Sequence, residues 1–248
     1  MDGCCPARLA SHRLAVNYPQ GMAGGGVVAV GDSIIHGGFT PQQFITPQSW
    51  AQHLAEAGDW SFTRYARGGQ TSGQVVDEQI PRVIRDDYDV GTVTVGANDL
   101  QFGWDPERYA ANMDAILARL AEVADRVLVT TMPPAFRRLP GAPRRINQSV
   151  PQANDIIARA AAAHDAQLID LSDFTSRRWL RPDRAHFTAL GSAEIGQRAA
   201  EVLGLVRAPA EARRLGAAYS LRYAAGLAWH SAWLSALRLL WAVKRAAP

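Results

Sequence analysis

A chain of 248 residues, 48% hydrophobic and 20% charged, is long enough for one well-buried domain. Its 26 basic and 23 acidic residues leave a formal charge of +3, with no polybasic block in the expected core, so nucleic acid is not suggested as a partner. The two cysteines, Cys4 and Cys5, are adjacent, a geometry that disfavours a bridge, so the fold does not rest on disulfides. Residues 1–26 have no continuous apolar run of the kind a secretory signal needs and no Met-Gly start for myristoylation. They are expected to be a poorly ordered leader, with Met22 an alternative start and a cytoplasmic location the default.

The apolar run Val27-Val28-Ala29-Val30 predicts a buried strand that delivers Gly31-Asp32-Ser33 to a loop. From Gln48 to Ala57, Trp50, His53, Leu54 and Ala57 recur at helical spacing, and Gly58-Asp59 closes that helix. Phe62 to Ala66 reads as a second strand and Thr71 to Arg85 as a helix that Pro81 must kink or split. Val90 to Val95 is a third strand. Asp105-Pro106-Glu107 starts a helix with cap and proline in the preferred places, and Tyr109, Met113, Ile116, Leu117 and Leu120 form its buried stripe. Arg126 to Thr131 is a fourth strand, ended by Met132-Pro133-Pro134. A solvated loop carrying Arg137, Arg138, Arg144 and Arg145 follows, then a helix through Ala163 and a fifth strand from Gln167 to Leu171. Ala189 to Leu203 closes the domain as a helix. Five strands alternating with helices predict an α/β fold, a flavodoxin-like three-layer sandwich on a five-stranded parallel sheet.

Four small clusters stand at the expected strand ends, where such sheets bind ligands. They are Gly31-Asp32-Ser33, Gly68-Gly69, Gly96-Ala97-Asn98-Asp99 and Asp183-Arg184-Ala185-His186. Each has a plain reading by itself: a helix cap at Asp32 and Ser33, a turn at the glycines, an Asx-turn at Asn98, a surface turn at Asp-x-x-His. Together a serine, a histidine and a carboxylate also make the parts of an activated nucleophile, because a serine hydroxyl needs a base held in one tautomer by a third group.

In this order the blocks resemble the SGNH hydrolases, also called the GDSL esterase and lipase family, over roughly Val27 to Leu203. The resemblance implies Ser33 as nucleophile, His186 as base, Asp183 as its orienting group, and an oxyanion hole made by the N–H of Ser33, the N–H of Gly69 (Gly68 being the other choice) and the amide of Asn98. It implies a carboxylic ester hydrolase acting on esters from short acyl esters and acetylated sugars to lysophospholipids, with no cofactor. There are departures: Ile34 where many relatives carry leucine, no asparagine opening the second block, and Arg184 inside the last one. Phe39, Trp50, Phe102, Trp104, Phe136 and Phe187 lie near the expected strand-end loops, where they either line an acyl pocket or are plain packing. The other histidines, His12, His36, His53, His164 and His230, lack a carboxylate in a comparable loop, although His36 is close enough to Ser33 to line the site.

No Gly-x-Ser-x-Gly elbow and no Gly-x-x-x-x-Gly-Lys phosphate loop occurs. Metal hydrolysis by Asp32, Asn98, Asp99, Asp183 and His186 is disfavoured, since no Asp-x-His or His-x-His pair accompanies them. The domain is expected to span residues 27–206, followed by an amphipathic helical extension over 207–248. In that extension Ala225, Ala228, Ala232 and Ala236 share one face beside Trp229, Trp233, Leu237 and Trp241. Such a helix packs on the domain or a second copy, or lies at a membrane interface; a true span is disfavoured by Arg238. A rival reading makes the protein a binding scaffold that works through this helix.

Overall fold

The structure, a computed structural model, describes residues 25–37, 48–134, 146–176, 178–181, 183 and 185–205, together with Ala225, Ala228, Trp229, Ala232, Trp233, Ser235 and Ala236. The five strands are β1 (Gly26–Gly31), β2 (Ser61–Arg64), β3 (Tyr88–Thr94), β4 (Ala124–Thr130) and β5 (Gln167–Ile169). They form one parallel sheet in the order β2-β1-β3-β4-β5, the flavodoxin-like order. Register is set by Val27 pairing with both Phe62 and Val90, and by Val90 pairing in turn with Arg126.

Every residue of β1 is buried, as expected where a parallel strand is covered on both faces. The covering helices are α2 (Trp50–Gly58), α5 (Pro106–Val123), α6 (Ile146–Ala163) and α7 (Ala189–Val202). A right-handed crossover from β1 to β2 runs opposite to those leading from β3 to β4 and β5, so α2 lies on one face and α5 and α6 on the other. Accordingly α2 packs with α7, and α5 with α6. Tyr109, Met113, Ile116, Leu117 and Leu120 of α5 are all buried, and Asp105 caps that helix by accepting the N–H of Arg108.

The segment expected as one helix from Thr71 to Arg85 is three short pieces. Helix α3 (Ser72–Gln74) runs into a π-helical turn (Val75–Gln79) and then a 3₁₀ turn (Ile80–Arg82) with Pro81 in its first turn. Pro81 has no N–H to continue an α-helical ladder, and the N–H of Ile80 reaches back five residues to the carbonyl of Val75. The extra residue in that turn carries Gln79 into the interior, where it is fully buried.

The seven described residues of the C-terminal extension are helical and exposed, with Trp229 56% and Trp233 37% accessible. The leader through residue 24, the arginine loop from 135 to 145 and the rest of the extension lie outside the described residues. No helix among the described residues is long and apolar enough to cross a membrane.

Candidate active site

Strand β1 ends at Gly31, whose φ of 136° is open to glycine; a Cβ there would lie 2.2 Å from the Thr94 carbonyl oxygen. The N–H of Asp32 donates to that carbonyl at 3.1 Å, which carries the β1–β3 pairing one residue beyond the strand. Asp32 Oδ1 then accepts the N–H of Ile34 at 2.9 Å and so caps a four-residue helix, α1 (Ser33–His36). Burial of Ile34 and Ile35 draws this helix onto the sheet and leaves Ser33, its first residue, half-buried at the strand-end edge. The capping reading of Asp32 therefore holds, and the cap is what presents Ser33.

The histidine arrives from the far end of the chain on a narrow loop. The N–H of Arg181 donates to the His186 carbonyl at 2.8 Å and the N–H of Thr188 to that of Trp179 at 2.8 Å, which closes the loop between an antiparallel bridge of Leu180 and Phe187. Inside it, Asp183 Oδ1 accepts the N–H groups of Ala185 (2.9 Å) and His186 (3.0 Å). Its Oδ2 lies 2.9 Å from His186 Nδ1, and His186 Nε2 lies 2.8 Å from Ser33 Oγ, although 153 residues separate the two. Burial pushes the Asp183 carboxyl up, but the His186 hydrogen bond and charge, helped by the two backbone N–H groups, outweigh it and hold the group well below the usual carboxylate range.

Ser33 follows β1 and Asn98 follows β3, the strands that flank the point where strand order reverses. Asn98 sits not in an Asx-turn but in the first turn of a short helix, α4 (Ala97–Phe102). Its Nδ2 donates to the Gln70 carbonyl at 2.9 Å, which ties the β3 edge to the glycine loop after β2. In that loop Gly69 has φ 82°, and its Cβ direction is open, whereas the Cβ direction of Gly68 points at Ser33, 3.8 Å from the serine Cβ. Both glycines are exposed.

Several supporting residues were not legible in the sequence. Asp99 receives the N–H of Ser72 (2.9 Å) and its hydroxyl (2.5 Å), and Asn112 donates to the same hydroxyl, so the residue after Asn98 is itself anchored. Gln79 grips Gly31 with both halves of its amide: Oε1 accepts the Gly31 N–H and Nε2 donates to the Gly31 carbonyl, each at 2.8 Å. The same Nε2 bonds Gln70 Oε1, so one buried amide links the segment before Ser33 to the glycine loop. The choice between pocket lining and packing is decided for part of the aromatic set. Trp50 is fully buried with its indole N–H on Thr94 Oγ1, and Phe187 is buried edge-on to Phe174, so both are core. Trp104 packs on Tyr109, and Phe102 is 68% exposed, four residues beyond Asn98 and on the same face of α4. Phe39 and Phe136 lie outside the described residues. His36 ends α1, and burial with the nearby Arg64 charge lowers its pKa. Among the described residues no group of three His, Cys, Asp or Glu is placed to hold a metal ion.

Asp32 is fully buried, and its Oδ2 has no hydrogen-bond partner among the described residues. Burial, with the Asp99 charge adding, pushes its pKa from 3.8 up to about 7 against the pull of the Ile34 N–H and His186. A raised folded-state pKa means that this group adds no pH-dependent cost below pH 3.8 and that its cost accumulates as pH rises from there through about 7. Asparagine keeps the capping acceptor and cannot ionise. Asp32→Asn is therefore expected to gain stability over the native chain by up to about 4 kcal/mol more at pH 8 than at pH 4, read by urea unfolding. Equal margins at the two pH values would show that Asp32 titrates as an ordinary carboxylate.

Fold and site define a class, the ester hydrolases that present a strand-end serine on a parallel α/β sheet. The chain belongs to the GDSL-like lipase/acylhydrolase family, whose model matches residues 29–193. Similar solved structures include an α/β hydrolase enzyme from the metagenome of Lake Arreo, Spain, at 19% identity and a TM-score of 0.60 over 75% of this chain and 97% of that one. An acetylxylan esterase from Geobacillus stearothermophilus matches at 13% identity and a TM-score of 0.55 over 74% of this chain and 97% of its own. The lipase/acylhydrolase from Enterococcus faecalis matches at 19% and 0.55 over 74% and 98%. At these identities the likeness concerns the fold. No curated protein sequence is a significant match.

Proposed function

We propose that this ester hydrolase works through an acyl-enzyme on Ser33, with His186 as general base, Asp183 orienting it, and the N–H of Ser33, the N–H of Gly69 and the amide of Asn98 as oxyanion donors. The observation that carries the reading is the unbroken line from Asp183 Oδ2 to His186 Nδ1 (2.9 Å) and from His186 Nε2 to Ser33 Oγ (2.8 Å). A neutral imidazole that donates from Nδ1 to a carboxylate has its Nε2 lone pair facing the hydroxyl. It takes the serine proton as Oγ bonds to the ester carbonyl carbon, then returns that proton to the departing alcohol oxygen. Water repeats the sequence on the acyl-enzyme and releases the acid.

The negative charge that forms on the carbonyl oxygen needs donors already in place. Ser33 is the first residue of α1, where a backbone N–H has no partner within the helix. Asn98 spends one amide N–H on the Gln70 carbonyl and has a second to offer. Each such donor is worth about 3 to 4 kcal/mol of transition-state stabilisation. Gly68 lies close to Ser33, a Cβ placed on it falling 3.8 Å from the serine Cβ, which keeps that glycine as the other choice for the loop donor.

Substrates span short acyl esters, acetylated carbohydrates and lysophospholipids, with a carbohydrate O-deacetylase or lysophospholipase as narrower forms of the same machinery. A series of p-nitrophenyl esters, an acetylated sugar and a lysophospholipid would rank them. A fluorophosphonate ester is expected to modify Ser33 alone, one group per chain by mass spectrometry, with loss of all ester hydrolysis in proportion. Modification at another residue, or hydrolysis that survives complete labelling, would sink the assignment of Ser33.

A further inference from the structure

A buried arginine lies between the two halves of the site. Arg181 is 2% exposed, and its side chain leaves the base loop in two directions. Nε donates to the Phe187 carbonyl at 2.7 Å, immediately after His186, while Nη2 donates to the Gly37 carbonyl at 3.2 Å, immediately after helix α1. Its backbone N–H holds the His186 carbonyl as well. Gly37 and Arg181 are 144 residues apart, so this contact belongs to the tertiary fold and not to either loop alone.

We infer that Arg181 is a positioning residue that locks the Ser33 helix to the His186 loop and so fixes the distance across which the proton moves. The inference rests on the roles proposed above for Ser33 and His186. The guanidinium suits the task because it is planar and carries donors along fixed, divergent directions, so that one group can reach carbonyls on two separate segments. A lysine ammonium is a single point on a flexible stem and cannot span both. The positive charge also sits at the C-terminal end of α1, where unpaired carbonyls gather. Arg64 provides a natural control. It donates from Nη1 to the His36 carbonyl at 2.9 Å, one residue before Gly37, and is exposed. It therefore contacts the end of the same helix from solvent, whereas Arg181 joins that end to the Phe187 carbonyl.

The test compares the native chain with Arg181→Lys, Arg181→Gln and Arg64→Met, each assayed well below its own melting temperature on one p-nitrophenyl ester and for its rate of fluorophosphonate labelling at Ser33. Both Arg181 variants are expected to lose roughly a hundredfold in kcat and in labelling rate with KM changed less than about twofold, because misplacement of reacting groups by about 1 Å has effects of that size. Arg64→Met is expected to keep kcat within about threefold, since an exposed contact carries little. Arg181 variants that melt lower yet label Ser33 at the native rate would overturn the inference, leaving Arg181 as packing. An equal loss in Arg64→Met would overturn it too, by showing that capping the helix, not joining it to the loop, is what counts. Failure of the native chain to label at Ser33 would instead remove the reading on which the inference rests. Should either Arg181 variant not fold, the other decides, since glutamine removes the charge and lysine keeps it.

Discussion

Alanine at Ser33, or glutamine at His186, is expected to lower kcat for ester hydrolysis by about 10⁶-fold, and the two together by no more than either alone. On the proposed mechanism neither group does anything useful without the other. A serine hydroxyl is a weak nucleophile at neutral pH, and the role proposed for the imidazole 2.8 Å away is to take its proton as it attacks. Once either is gone, the residual rate is set by substrate binding and the oxyanion donors, which the second substitution does not touch. Glutamine is the better probe at His186 because its side-chain amide can still offer Asp183 Oδ2 an N–H, which alanine cannot. Steady-state kinetics on the two single variants and the double variant decide the matter. Losses that multiply would mean that Ser33 and His186 contribute separately, and the contact between them would not be the path of the proton.

The second large effect concerns Asp183. Asp183→Asn is expected to reduce kcat by about 10⁴-fold with little change in KM. An asparagine can keep its carbonyl oxygen toward the N–H groups of Ala185 and His186, so the loop retains its turn. Its amide N–H₂ then faces His186 Nδ1, where the native carboxylate accepts. The imidazole answers by carrying its proton on Nε2, which points a donor at Ser33 and leaves no lone pair to take the serine proton. Retention of activity within tenfold would show that the carboxylate does not select the tautomer. A stability consequence goes with it. The Asp183 pKa is held below the usual carboxylate range, so this group stabilises the fold above about pH 4 and loses that contribution as pH falls through its folded-state value. The asparagine variant is expected to unfold less steeply in acid than the native chain, as read by circular dichroism along a pH titration.

Much of this architecture was legible in the residues. The run Val27 to Val30 read as a buried strand, and the stripe from Tyr109 to Leu120 as a helix with one buried side, and both are so. Asp105-Pro106 marked the start of that helix to the residue. These features are local: period, cap and proline act within a turn or two of the chain. The four strand-end blocks were legible for a different reason, since chemistry at a sheet edge needs particular side chains at particular points in the order.

What failed to show was whatever depends on a distant partner. Nothing around Gln79 announces that a π-helical turn will bring its amide onto Gly31, 48 residues earlier. Trp50 and Phe187, near strand ends, were open to pocket or core in the sequence, and burial places them in the core. Arg184 drew notice between Asp183 and His186 in the sequence, while Arg181, the arginine that reaches the Ser33 helix, carried no signal at all.

By itself, then, the sequence determined the alternation of strands and helices, the parallel sheet that follows from it, and the residue types at its carboxyl edge, because each of these is set by neighbours within a few positions. The tertiary structure alone decided that Ser33 and His186 come within 2.8 Å, that Asn98 fastens the glycine loop, and that Arg181 and Gln79 hold the segments on either side of the serine. Those contacts join segments 28 to 153 residues apart, and only packing of the whole sheet with its helices fixes such distances.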